Sequence, residues 1–262
     1  MILYQIDAFT DQLFGGNPAA VIVLDAWPSD QLMQSIANEN NLAETAFVVP
    51  EGDDFHIRWF TPSTEVDLCG HATLASAYVM YHQLGYAKDE IRFQSRSGWL
   101  SVHRNGTWLT LDFPADHINP IPITPALQKC ADTNILEAYL GRSDYLFVMA
   151  DQHTVKDGHF NQQAIEALGH RGVIVTAEGE DVDFVSRFFA PAYGIPEDPV
   201  TGSAHTTLTP YWAHRLNKNE LTARQVSPRG GFLKCKNEHE RVLISGQAVL
   251  YMKGEIRIKN EE

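Results

Sequence analysis

Short apolar stretches, some of them alternating with polar residues, are the dominant pattern of the first half of the chain. From Phe55 to Phe60, for example, Phe55, Ile57 and Trp59 alternate with their neighbours, as in a β-strand with two different faces. The same kind of segment predicts strands at 2–7, 20–24, 45–49, 55–60, 91–94, 100–103 and 107–113. A sheet of short strands is therefore expected.

Two helices interrupt these strands, and their patterns differ. Ser29 can cap an amphipathic helix over residues 30–40, which we expect on the outside of the sheet. Residues 71–84 are apolar almost all round, which is typical of a helix buried on most sides. We expect the strands to surround this second helix.

The second half of the chain repeats the first. Arg58-Trp59-Phe60-Thr61-Pro62 is echoed 129 residues later by Arg187-Phe188-Phe189-Ala190-Pro191, and Gly70 is echoed by Gly202. Strands are predicted at 145–149, 172–176, 183–189, 222–226, 231–236, 241–244 and 248–258, and helices at 161–168 and 203–216, where Pro210 is expected to kink the helix or shift its ends. Two copies suit two related lobes that face each other across a cleft, where small-molecule sites usually lie.

Four prolines between residues 114 and 125 suit an extended connection, so we place the domain boundary there. The N-terminal lobe is predicted to span residues 1–118 and the C-terminal lobe residues 119–262, with the last strand as a candidate to return to the first lobe. The predicted fold class is α+β, with two pseudo-symmetric lobes, each a barrel-like sheet wrapped around a central helix.

Composition and charge narrow the function. A formal net charge of −13, without clustered Lys or Arg, argues against nucleic acid or an anionic membrane as partner. Cys69, Cys130 and Cys235 lack metal-site or disulfide spacing, and neither a signal peptide nor an apolar run of membrane-spanning length is visible. A cytoplasmic protein is expected.

The most promising binding groups are the two predicted helix starts, at Gly70 and Gly202. Backbone N–H groups and the positive end of the helix dipole make such a start an anion site, which can hold a substrate carboxylate despite the acidic net charge. The alternative is that the glycines only permit close packing and that Ser203 only caps its helix.

Several polar residues near these starts are candidates for chemistry. Glu44 directly precedes an apolar strand, where partial burial would suit a general acid and base, although a solvated turn residue is the alternative. Counting back from Phe47 and Val173 makes His170 the counterpart of Glu44 in the second copy of the repeat, so the acid itself is not duplicated. Asp198 could bind a substrate amine or hydroxyl, His71 could assist proton transfer, and Cys69 could be a thiolate base or a buried structural cysteine.

Cofactor motifs are missing from the sequence. There is no G-x-G-x-x-G after a strand, no Walker loop, no G-x-S-x-G elbow and no H-E-x-x-H. Chemistry without a cofactor or metal is the simplest interpretation.

Around the candidate site residues, the chain resembles the phenazine-biosynthesis PhzF-like isomerase family of the diaminopimelate-epimerase-like fold. The resemblance is carried by DAFT and FGGNPAAV within residues 7–21, NLAETAFV from Asn41, WFTPSTEVDLCGHATLA from Trp59, EDPVTGSAH from Glu197, and RGG followed by ISGQAV. It implies two lobes, a site in the cleft between them, a homodimer, and cofactor-free isomerisation by proton transfer.

The resemblance also implies roles for single residues. Glu44 matches the family's catalytic acid and base. The other matching site residues are His71, Asp198 and Ser203, together with Gly70 and Gly202 at the helix starts. Asn17, in the FGGNPAAV motif, is expected to bind substrate. Related epimerases use two cysteines, one from each half. Here Cys69 fits the first, whereas Thr201 occupies the second, which disfavours a two-thiol racemisation.

The sequence thus predicts an isomerase that shifts a proton between carbons of a small carboxylate carrying an amine or hydroxyl. One alternative is an amino-acid epimerase or racemase that uses Cys69 as a base. Another is a catalytically silent protein that binds a small ligand.

Overall fold

A computed structural model describes residues 1–258 of the chain, which divide into two compact units. Unit 1 comprises Met1–Asp112 and Ser245–Glu262, and unit 2 comprises Phe113–Ile244. The sequence placed the boundary after residue 118. The chain instead leaves unit 1 before the proline-rich stretch and returns to it after Ile244, because the last strand pairs with the first.

Unit 1 is a sheet with two helices packed against it. Its strands are β1 (Ile2–Ala8), β2 (Asn17–Val23), β3 (Glu44–Glu51), β4 (Asp54–Phe60), β5 (Glu65–Val66), β6 (Glu90–Ser95), β7 (Gly98–Asn105), β8 (Trp108–Pro114) and β18 (Ala248–Glu255). They pair in the order β18-β1-β2-β3-β4-β6-β7-β8, with β2–β3 and β4–β6 parallel and the other pairs antiparallel. The short strand β5 pairs with β4. All seven predicted strands of this half are present.

The two predicted helices of unit 1 are confirmed. Helix α1 (Asp30–Asn40) begins at Ser29, whose side chain accepts a hydrogen bond from the Leu32 N–H. Helix α2 (Gly70–His82) is buried at eleven of its thirteen residues and contacts β1, β2, β3 and β18. Its buried hydroxyls stay satisfied, because Thr73 donates to the Cys69 carbonyl at 2.6 Å and Ser76 to the Ala72 carbonyl at 2.7 Å.

Unit 2 repeats this design. Its strands are β9 (Asn119–Ile121), β10 (Glu137–Leu140), β11 (Asp144–Val148), β12 (Gly172–Glu178), β13 (Phe184–Ala190), β14 (Ile195–Asp198), β15 (Glu220–Gln225), β16 (Gly231–Glu238) and β17 (Arg241–Gly246). They pair in the order β9-β10-β11-β12-β13-β15-β16, with β11–β12 and β13–β15 parallel, and β14 pairs with β13. These seven strands match β18-β1-β2-β3-β4-β6-β7 of unit 1 in order and in the direction of each pairing, so the sequence repeat is a structural repeat.

The repeated arginine has the same contact in both units. Arg58 of β4 binds Glu65 of β5 through two hydrogen bonds of 2.7 Å. Arg187 of β13 binds Glu197 of β14 in the same two-pronged way, at 2.7 and 2.9 Å. The repeated motif therefore joins a long strand to the short strand that leads into the buried helix.

The helices of unit 2 are α3 (Pro125–Gln128), α4 (Gln152–Asp157), α5 (Gln162–Glu166) and α6 (Gly202–Leu216), with a 3₁₀ turn at Pro191–Tyr193. Helix α6 runs through Pro210 without ending there. A proline at 210 cannot donate to the Thr206 carbonyl, and the Asp116 N–H donates to it instead, at 3.2 Å. The carbonyl is satisfied from outside the helix.

The proline-rich stretch is only partly the extended connection that was predicted. Asn119–Ile121 forms β9 and pairs with β10, Pro120 lying opposite Tyr139. A proline is tolerated in a strand where its missing N–H is not needed by a neighbour.

Candidate active site

Glu44 is the first residue of β3, opposite Ala19 of the parallel strand β2. The next five residues of β3 are buried, so the strand fixes the backbone of Glu44 at the edge of the apolar core. Its side chain is 12% exposed. The carboxylate is thus largely removed from solvent.

Helix α2 begins beside this carboxylate. Cys69 is its N-cap residue and makes no side-chain capping hydrogen bond, and Gly70 is its first residue. The positive end of the helix dipole lies here, and partial positive charge at a helix start favours a bound anion.

His71, the second residue of α2, connects the polar groups of this region. Its Nε2 lies 3.2 Å from Oε2 of Glu44, and its Nδ1 lies 3.2 Å from Nδ2 of Asn17 and 3.5 Å from Sγ of Cys69. Burial lowers the pKa of His71 to about 3, so its ring is neutral at pH 7. The contact with Glu44 is therefore between a neutral imidazole and a carboxyl group.

The tautomer of His71 follows from its partners. The amide nitrogen of Asn17 can only donate, so Nδ1 of His71 must accept and the ring proton must lie on Nε2. The Nε2–H group is then on the side of the ring that faces Glu44. Asn17 thus places the ring proton of His71 on the nitrogen that lies 3.2 Å from Oε2 of Glu44.

A tight turn brings Asn17 to this position. Gly16 has a φ of +60°, and a Cβ built on it would lie 2.1 Å from the Ala8 carbonyl oxygen. Only glycine fits such a turn, and it lets the chain reverse directly into β2, where Asn17 is fully buried opposite Ala8. The Asp7 carboxylate accepts from the Phe14 N–H at 2.9 Å and holds the other end of the turn.

In unit 2, Asp198 and Thr201 lie at the corresponding helix start. Thr201 is the N-cap residue of α6, and its hydroxyl donates to the Asp198 carboxylate at 2.5 Å. Gly202 and Ser203 are the first two residues of α6, Gly202 buried and Ser203 partly exposed. Thr201 stands where unit 1 has Cys69, so one start carries a thiol and the other a hydroxyl.

Gln225 holds this segment in place and was missed from the sequence. Its Oε1 accepts from the Thr201 N–H at 2.9 Å, and its Nε2 donates to the Asp198 carbonyl at 2.8 Å and the Thr201 hydroxyl at 3.2 Å. It is fully buried at the end of β15, after Leu221 and Ala223 on the same inward face. A polar residue at an inward position of an alternating strand was the available signal.

His205 was also missed. Its Nδ1–H donates to the Thr201 carbonyl at 2.8 Å, as the Thr73 hydroxyl does to the Cys69 carbonyl in unit 1. Burial lowers the pKa of His205 to about 4, so this ring is neutral as well. Each helix start is thus fixed by the side chain one turn later.

The counterpart of Glu44 differs from the expectation. Phe60 and Phe189 are equivalent residues of the repeat, and they pair with Thr45 and Val173 in their own sheets. The residue before each of these is Glu44 in unit 1 and Gly172 in unit 2. Gly172 is therefore the counterpart of Glu44, and the prediction of His170 was wrong. A Cβ on Gly172 would lie 2.7 Å from the Phe188 ring, which occupies that space. Unit 2 therefore has no acid at this position.

The predicted residues thus fall into two groups. Asn17, Glu44, Cys69, Gly70 and His71 lie together in unit 1, whereas Asp198, Thr201, Gly202 and Ser203 lie together in unit 2. Across residues 1–258, Glu44, Cys69 and His71 form the one group of three metal-type ligands, with one ligand atom of each within 4.8 Å of the others. Within the same residues, no helix combines the length and the apolar character needed to cross a membrane.

Comparison with known proteins agrees with the fold. Residues 6–254 match the family model described as phenazine biosynthesis-like protein. Two uncharacterized isomerases of Pseudomonas aeruginosa are 50% and 52% identical, each over at least 97% of both chains. A crystal structure of a PhzF-family phenazine biosynthesis protein from Enterococcus faecalis superimposes with a TM-score of 0.96 at 50% identity, covering 98% of this chain and 99% of that one.

This superposition confirms the predicted α+β, diaminopimelate-epimerase-like fold class. The names of the relatives also agree with the predicted enzyme class. The chain belongs to the phenazine biosynthesis-like protein family and is an enzyme of the PhzF-like isomerase type.

Proposed function

We propose that the protein catalyses a cofactor-independent isomerisation in which Glu44 moves a proton between carbons of a small carboxylate-bearing metabolite. The Glu44 carboxylate removes a proton from one carbon and returns it to another on the same face of the substrate. The observation that carries this proposal is the contact of the largely buried Glu44 carboxyl with the neutral His71 ring, which lies 3.2 Å away.

The environment of Glu44 suits both halves of such a transfer. The Nε2–H of His71 stabilises the carboxylate before it takes the proton, and the low exposure of both side chains, 12% and 6%, keeps competing water away. Glu44 is the only carboxylic acid among the candidate site residues of unit 1, so the same residue removes the proton and returns it. A single base gives migration on one face rather than inversion.

The substrate carboxylate is assigned to the start of α2. The first-turn backbone N–H groups at Gly70 and His71 can donate to it, and negative charge that develops next to the carboxylate during proton removal would be stabilised there. The formal net charge of −13 makes such a local donor group necessary for an anionic ligand. That Asp198 and Ser203 act on the same substrate stays a prediction.

Positional deuterium labelling tests the reaction. A set of small carboxylic acids with an amine or hydroxyl substituent is incubated with the enzyme in D₂O and followed by ¹H NMR. We expect an acid for which a C–H signal disappears at one carbon while a product deuterated at a different carbon forms. Exchange confined to one stereocentre, with inversion, would contradict migration.

An epimerase is the second candidate, because the Cys69 thiol lies 3.5 Å from the accepting Nδ1 of His71. The thiol can pass its proton to that nitrogen and become a thiolate base. Inversion at a single carbon that is lost in Cys69→Ala and kept in Glu44→Gln would establish this reaction. Unit 2 has Thr201 where unit 1 has Cys69, and the lack of a second thiol argues against a two-thiol epimerase.

A further inference from the structure

The group formed by Glu44, Cys69 and His71 contains three different metal-ligand chemistries in one place. A carboxylate oxygen, a thiol sulfur and an imidazole nitrogen each lie within 4.8 Å of the other two. All three side chains are largely buried, so they would meet an ion with most of its water removed. No other such group is found among residues 1–258.

The spacing suits a four-coordinate ion. Oε2 of Glu44 lies 3.2 Å from Nε2 of His71, and Sγ of Cys69 lies 3.5 Å from Nδ1 of the same ring. Neighbouring ligand atoms around tetrahedral zinc are about 3.3 to 3.6 Å apart, given Zn–N and Zn–S bonds of about 2.0 and 2.3 Å. A rotation of the His71 ring, which brings one nitrogen toward both partners, is the main adjustment needed.

The chemical types of the three ligand atoms determine which metal ions the group would bind best. A thiolate with an imidazole favours Zn²⁺ and Cd²⁺, whereas Mg²⁺ and Ca²⁺ prefer oxygen ligands alone. The Cys69 thiol releases one proton to the buffer when it becomes a thiolate ligand. Three protein ligands leave the fourth position for water or a substrate oxygen.

We propose that Glu44, Cys69 and His71 form a binding site for one thiophilic divalent ion, Zn²⁺ or Cd²⁺, and that the bound ion inhibits the enzyme. The ion would occupy the Glu44 carboxylate and the His71 ring, so neither could take part in proton transfer. The inhibition rests on the function proposed above, whereas the binding rests on the geometry alone.

Binding is measured first, without activity. Cd²⁺ is titrated into the protein and the near-ultraviolet Cd–thiolate absorption is recorded; Zn²⁺ affinity is measured by competition with a chromophoric chelator. The wild type is compared with Cys69→Ala and with the matched control Cys130→Ala, since Cys130 is a buried cysteine of unit 2. Thermal melting without metal checks that each variant is folded.

We expect one Cd²⁺ per chain with a thiolate band in the wild type and in Cys130→Ala, and no such band in Cys69→Ala. Zn²⁺ affinity should fall by about 100-fold or more in Cys69→Ala, since even the loss of a group that only orients a metal ligand costs about 10- to 100-fold. Equal affinity in the wild type and Cys69→Ala, or the absence of a thiolate band in the wild type, would overturn the site.

Inhibition is then measured as the rate of substrate deuteration with and without Zn²⁺. We expect loss of the rate at stoichiometric Zn²⁺ and its recovery on adding a chelator. Binding without inhibition would overturn the inhibitory role alone. If the wild type deuterates no acid, the proposed function fails while the binding result still stands.

Discussion

At the scale of single residues, the central feature is the tautomer of His71. A neutral imidazole can present a donor to Glu44 only if its other nitrogen accepts, and Asn17 enforces this through its amide N–H. Asn17 was assigned to substrate binding from the sequence. Its contact with His71 adds a positioning role that acts on Glu44 through the ring.

Replacing Asn17 with aspartate tests this role. The new carboxylate would offer an accepting oxygen to Nδ1 and would pull the ring proton away from Nε2, so we expect kcat to fall by about 100-fold or more, at the lower end of what general acid–base catalysis contributes. ¹⁵N NMR of the His71 ring should show the proton on Nε2 in the wild type and on Nδ1 in Asn17→Asp. An Nε2–H ring in both proteins would contradict the assignment.

The sequence identified Glu44, Cys69 and His71, because they lie in continuous motifs next to predicted strand and helix ends. Their contacts could not be predicted in the same way. Asn17 and Glu44 are 27 residues apart and approach each other only through the parallel register of β2 and β3. Gln225 and His205 were missed because their partners lie in a turn whose conformation has no periodic signal.

At the scale of elements, the buried helix α6 begins at a turn that is fixed by a side chain of another element. In unit 2 Gln225, at the end of β15, uses both ends of its amide to hold Asp198 and Thr201. The conformation of the α6 start therefore depends on a residue of the neighbouring sheet.

Replacing Gln225 with leucine should lower the free energy of unfolding. It leaves the Thr201 N–H and the Asp198 carbonyl without this partner inside the protein, at a cost of about 1 to 3 kcal/mol for each group. We expect a loss of about 2 to 5 kcal/mol in the free energy of unfolding measured in urea. Gln94→Leu, at an exposed position of the corresponding strand β6, serves as the control and should change it little. Equal effects of the two substitutions would refute the role of Gln225.

Long elements with strong patterns were predicted to within one or two residues, as α1 and α6 show. Short ones were not: β10, β14 and α4 have four to six residues each, too few for a period to emerge. They form because neighbouring strands and the Arg187–Glu197 pair support them.

At the scale of the whole molecule, two buried neutral histidines couple stability to pH. The pKa values of His71 and His205 are lowered by burial from 6.5 to about 3 and about 4. Below about pH 6.5 the unfolded chain therefore binds protons at these two histidines that the folded chain does not bind. Their contribution to stability is complete above pH 6.5 and is lost as the pH falls toward the folded-state values.

We expect the free energy of unfolding to fall between about pH 6.5 and pH 4, each histidine adding a slope of up to about 1.4 kcal/mol per pH unit. His205→Gln, which keeps a donor for the Thr201 carbonyl, should make this slope shallower by up to that amount. Urea unfolding followed by tryptophan fluorescence at several pH values measures it. An unchanged slope in the variant would mean that His205 is not held neutral by the fold.

The family resemblance implies that the protein is a homodimer, and this stays a prediction. Sedimentation equilibrium measures it directly. A mass of about twice 29.3 kDa is expected.

The most direct test of the account compares the two glutamates at the ends of β3. Glu44 begins this strand beside His71, and Glu51 ends it in an exposed position. The rate of deuteration in D₂O is measured for wild type, Glu44→Gln and Glu51→Gln on the acid that the wild type converts. We predict a loss of about 1,000-fold or more in Glu44→Gln, with ligand binding retained, and a wild-type rate in Glu51→Gln. A Glu44→Gln rate within tenfold of wild type would contradict the assignment of Glu44 as the proton-transfer group.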